Sequence, residues 1–91
     1  MPARTGPLSK IEQMIYANAY SVYYDRLTDN PPPSITVSTG DAWRAWEADQ
    51  ACAAAEWAAS VVLRFRDIGP HLRQGYGHNS EVYRFYRQAR R

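Results

Sequence analysis

The chain has 91 residues, 45% of them hydrophobic and 22% charged, with a net charge of +2. That length allows one domain with a thin core and not two, and that balance excludes intrinsic disorder. No apolar run approaches the roughly 18 residues of a bilayer span, and "MPARTGPLSK" carries no apolar signal region. One cysteine, Cys52, excludes an internal disulfide framework or a multi-cysteine zinc site, so a cytoplasmic, reduced protein is expected.

The small net charge hides an asymmetry. Residues 1–60 carry four basic side chains (Arg4, Lys10, Arg26, Arg44) against seven acids, a balance of −3. Residues 61–91 carry seven arginines against Asp67 and Glu81, a balance of +5. Only Lys10 is lysine, and the planar arginine fork suits phosphate, carboxylate and aromatic faces better than a point charge does. Arginine bias of coding origin is the plain alternative.

Residues 1–8 read as an N-terminal arm. Ser9 and Glu12 in "LSKIEQ" then form a capping box that opens a helix over about 10–27, a stretch free of Gly and Pro. On the wheel, Ile11, Ile15 and Val22 make an aliphatic seam. Tyr23, Tyr16, Leu27, Tyr20 and Tyr24 continue round from it, with Ala19 between. This arc covers about two thirds of the circumference, whereas a helix in a small bundle buries a stripe little wider than about 100°. The surplus phenols of Tyr16, Tyr20, Tyr23 and Tyr24 either snorkel along the surface or form a partner-binding face.

A Pro-rich connector follows over 28–38. Three prolines supply no donors and favour polyproline geometry, and "SITVST" has no partner strand in view. An extended connector is expected, with Ile35 and Val37 packed inward. The spine is a long helix over about 40–68, capped by Ser38 or Thr39 with Asp41 in its first turn, and stopped at Gly69-Pro70. Trp43, Trp46, Ala54, Trp57, Val61, Phe65 and Ile68 share one face. Ala45, Ala48, Cys52, Ala55, Ala59 and Val62 form a small-residue seam on the other, so neighbours are expected on both sides.

A Gly-containing loop over 69–79 leads to a third helix that starts at Asn79 or Ser80. Val82, Tyr86 and Ala89 form its inner face with Phe85 flanking, and Arg84, Arg87, Arg90 and Arg91 fall on the far side. The fold class predicted is all-α: a three-helix bundle with a long central helix and a Pro-rich connector.

Catalytic chemistry is looked for and not found. His71 and His78 match no zinc spacing, so no metal, cofactor or catalytic residue is assigned. Cys52 could pair with a histidine as a nucleophile, but its alanine-rich surroundings read as inert helix packing. In "RQGYGHNS", Gly75 and Gly77 precede a helix N-terminus and Arg73 and His78 add donors, yet the spacing of a phosphate loop is missing.

The expectation is a small non-catalytic binding protein. It would dock through Tyr16, Tyr20, Tyr23 and Tyr24, and through Arg73, Arg84, Arg87, Arg90 and Arg91. The partner would be a protein or nucleoprotein with an acidic or phosphate-bearing surface, and no membrane. A phage- or mobile-element-encoded inhibitor of host machinery, such as an RNA-guided defence complex, fits that size and surface. The alternatives are direct contact with single-stranded DNA or RNA, with Tyr76 or Tyr83 stacking on unpaired bases, and a homodimeric or self-assembling structural subunit.

Overall fold

The structure, a computed structural model, describes residues 7–37, 40–75 and 80–90. Four helices are seen among them: α1 (Lys10–Thr28), α2 (Pro33–Thr36), α3 (Gly40–Arg73) and α4 (Glu81–Ala89). No strand is present among the described residues, and the all-α class with a long central helix is as the sequence predicts.

α1 begins where its capping box places it. The Ser9 hydroxyl accepts the Glu12 backbone N–H at 3.2 Å, and the Glu12 carboxylate accepts the Ser9 N–H at 2.8 Å. Two otherwise orphaned donors are satisfied at once.

The connector departs from expectation. Pro33, Ser34, Ile35 and Thr36 form one helical turn, in which the Ile35 and Thr36 N–H groups both donate to the Pro32 carbonyl, at 2.9 and 3.0 Å. Pro32 stays extended, with ψ 151°, as a residue before proline must. Pro33 has no proline behind it, and its fixed φ suits the first position of a helix. The turn swings Val37 outward to 85% exposure, so it is not an inward anchor, while Ile35 is half-buried. The caps expected from Ser38 or Thr39 lie outside the described residues.

The predicted stop at Gly69-Pro70 is also corrected, because α3 runs on to Arg73 with Pro70 inside it. A proline there forfeits the bond to the carbonyl four residues back and costs about 3 kcal/mol. Two features offset it. Gly69 has no Cβ to collide with the proline ring, and Leu72, one turn on, is buried to 4% exposure, worth roughly 1.5–3 kcal/mol. The helix closes instead at Gly75, whose φ of +98° suits glycine and whose N–H reaches the Leu72 carbonyl at 3.1 Å.

Two contacts fix the direction of α1 against α3. Glu12 meets Arg66, and Tyr23 meets Trp57, so the helices are antiparallel. α4 lies across both, antiparallel to α1, with Glu81 near Arg26 and Phe85 against Tyr23. The core is where these three meet. Ile15, Ala19, Ala54, Ala58 and Val61 are fully buried, the alanines allowing close approach of the backbones. Phe85 is 1% exposed and meets Tyr23 edge to face at 5.9 Å, while Tyr86 stacks on Phe65 at 5.3 Å. Val82, Tyr86 and Ala89 face inward as expected, and Phe85 is more than a flanking residue.

Among the described residues α3 is packed mainly along its second half, α1 lying beside Val62 and Arg66 and α4 against Phe65. Its buried positions begin at Ala54, and none precedes it in the helix. Of the small-residue seam, Ala45, Ala48, Cys52 and Ala59 are exposed, Ala55 is half-buried and only Val62 is buried, so the neighbour expected for it is met only at its C-terminal end, where Ala59 and Val62 lie beside Tyr16 of α1. Thr28 reaches the level of about residue 51, and the first dozen or so residues of α3 extend past α1, with only α2 beside them among the described residues. The radius of gyration is 15.9 Å, against about 12 Å for a compact chain of this length.

Candidate partner-binding surfaces

The described arginines divide into those that hold helices together and those that do not. Arg66 joins α3 to α1, its Nε donating to Glu12 at 2.6 Å and a terminal nitrogen to the other carboxylate oxygen at 3.3 Å. This fork, with the Ser9 N–H, holds the Glu12 carboxyl down at about 2 from an ordinary 4.5. Arg26 joins α1 to α4 through Glu81 at 3.1 Å and lies over the Tyr23 ring at 5.7 Å.

The α4 arginines do neither. Arg84, Arg87 and Arg90 are exposed, and among the described residues none has an acid within 4 Å. Arg90 lies over the Tyr86 ring at 5.4 Å, a cation–π contact that leaves its fork open. The amphipathicity of α4 explains this placement: Val82, Phe85, Tyr86 and Ala89 take the buried stripe, and spacings of three residues put the arginines on the remaining arc. Arg73 ends α3, but its side chain lies outside the described set, as do Arg91, Tyr76 and His78. Gly77 is also outside, so the loop's phosphate-cradle reading has no described geometry.

The tyrosines separate as well. Tyr16, Tyr20 and Tyr24 are half-buried and form a ladder along one flank of α1, with ring centroids 6.3 and 5.9 Å apart and planes 20° and 9° from parallel. A spacing of four residues on a helix produces this alignment. Beside its first rung lies a cleft of about 210 Å³ lined by Leu8, Tyr16, Ala59, Val62, Leu63 and Arg66. Tyr23 stands apart in the core, 6% exposed. Burial, then the Glu81 carboxylate, push its hydroxyl above the ordinary phenol value.

Trp57 is the residue that periodicity misplaces. It shares a wheel face with the core residues Val61 and Phe65, yet it is 47% exposed, resting edge-on against Tyr23 at 5.3 Å and 84°. The flank of the long helix on which it sits is only partly covered by the short α4. No sequence signal marks that, since coverage depends on how the neighbouring helices pack.

Cys52 is exposed and not a packing residue. It lies 19 residues before His71 on the same helix, about 28 Å along the axis, so these two cannot act as a nucleophilic pair. Among the described residues no three His, Cys, Asp or Glu side chains gather as metal ligands, and no helix is long and apolar enough to cross a membrane. No protein-family model, curated protein or solved structure matches the chain.

Proposed function

We propose that this is a small non-catalytic binding protein that docks on an acidic or phosphate-bearing surface of a protein or nucleoprotein. The observation that supports it is that Arg84 and Arg87 are exposed with no acid within 4 Å among the described residues. Arg26 and Arg66 each join two helices through a carboxylate, on Glu81 and Glu12, whereas Arg84 and Arg87 on the outer face of α4 are exposed with no such partner among the described residues. Planar donors held on a rigid helix lose little entropy on meeting carboxylate or phosphate. The Tyr16, Tyr20 and Tyr24 ladder supplies a second contact surface of the aromatic kind enriched in interfaces. A phage- or mobile-element-encoded inhibitor acting on a nucleoprotein such as an RNA-guided defence complex is one setting with that partner chemistry.

The test replaces Arg84, Arg87, Arg90 and Arg91 together by glutamine. Retention on phosphocellulose should fall to a clearly lower salt concentration while the helical circular dichroism stays unchanged. Equal retention would remove the docking role, and loss of helical signal would make those arginines structural.

A further inference from the structure

Trp57, Arg64 and His71 recur every seven residues along α3 and are all exposed, so they line one flank of the helix. That flank borders α4. Tyr86 of α4 stacks on Phe65, the neighbour of Arg64, and Arg90 lies over Tyr86. Trp57 touches Tyr23, which touches Phe85, and the charge of Arg64 is felt at the Tyr23 hydroxyl. The α3 flank and the α4 edge are therefore one continuous surface. It bears an indole with half its area open. It also bears Arg64 and Arg87, which have no acid within 4 Å among the described residues.

We propose that Trp57, Arg64, Arg87 and Arg90 form a site for single-stranded nucleic acid, the indole stacking on an unpaired base and the guanidiniums holding the flanking phosphates. The inference rests on the reading of the α4 face as an anion-docking surface and names its ligand. Charge complementarity requires a polyanion. An acidic peptide would satisfy the arginines but offers the indole a flat π-face only where it carries an aromatic side chain, whereas every base has one. A duplex keeps its bases stacked on each other, so only an unpaired strand can use both halves of the site.

The experiment uses the full chain with Trp43→Phe and Trp46→Phe, so that Trp57 is the one remaining indole. It is titrated with a thymidine oligomer of about 12 nucleotides, a length within the usual site sizes. Indole emission should be quenched in step with binding. Three to four phosphate contacts should give a salt slope of about −2 to −3, and Arg64→Gln or Arg87→Gln should each lower it by about 0.7. Trp57→Leu should weaken binding about 5- to 150-fold with unchanged circular dichroism. Binding with unaltered indole emission, or equal binding of a duplex of the same length, overturns the site. If polyglutamate binds and the oligomer does not, the site fails while the anion-docking face stands. If neither polyanion binds, the docking face itself is wrong.

Discussion

Arg66 of α3 forks onto Glu12 of α1 at 2.6 and 3.3 Å, and the same Glu12 carboxylate closes the cap of its own helix on the Ser9 N–H at 2.8 Å. One carboxylate thus couples the start of α1 to the far half of α3. The folded value of that carboxyl, about 2, lies below the 4.5 of a free glutamate, so the fold holds the charged form. Its contribution is complete above about pH 4.5 and fades as pH falls toward about 2. Glu12→Gln keeps a capping side chain and removes the charge. The variant should be less stable at neutral pH and converge with the parent on acidification, measured as urea midpoints across pH. A deficit that stays constant down to pH 2 would show that the charge is not what matters.

Phe85 and Tyr20 are both aromatic, but only one is a keystone. Phe85 is 1% exposed between α1 and α4, and Phe85→Ala should cost about 3–5 kcal/mol, a large part of the stability of a domain this size. Tyr20, half-buried in the ladder, should cost about 1 kcal/mol as Tyr20→Ala. Chemical denaturation of the two variants checks the contrast, and equal losses would place the ladder inside the cooperative core.

Pro70 carries a penalty that the fold tolerates. Pro70→Ala restores an N–H facing the Arg66 carbonyl and removes the ring clash, so stability should rise by about 1–3 kcal/mol. A fall in melting temperature would mean that Pro70 is needed to bring Leu72 into the core.

The Cys52 thiol is exposed on α3. It should react completely with a disulfide reagent in native buffer, at a rate that denaturant raises by less than about tenfold. Protection in the native state would mean that another surface covers the small-residue seam in solution.

Much of the fold was legible because local rules and tertiary packing agree. Ser9 and Glu12 announce α1, Ser80 caps α4 by accepting the Tyr83 N–H at 3.1 Å, and the apolar stripe of α4 is the stripe it buries. The failures occur where a non-local contact outweighs a local signal. Gly69-Pro70 is a strong stop by itself, and burial of Leu72 beyond it overrides the stop. Val37 is apolar yet left exposed by the α2 turn. The surface readings were legible only in part. Amphipathicity placed Arg84, Arg87 and Arg90 outward, but a wheel has no way to tell that Tyr23 is core while Tyr20 and Tyr24 are not, nor that Trp57 stays half open beside Tyr23.

The overhang of the first dozen or so residues of α3 past α1 has a hydrodynamic consequence. At 50 × 32 × 19 Å the molecule is a stubby rod, and it drags more water than a sphere of its 10.4 kDa. A single copy will leave a sizing column ahead of compact standards of equal mass and tumble faster about its long axis than end over end. Early elution is therefore the signature of this one helix's overhang and does not count as pairing, which only a shape-independent mass such as light scattering can report.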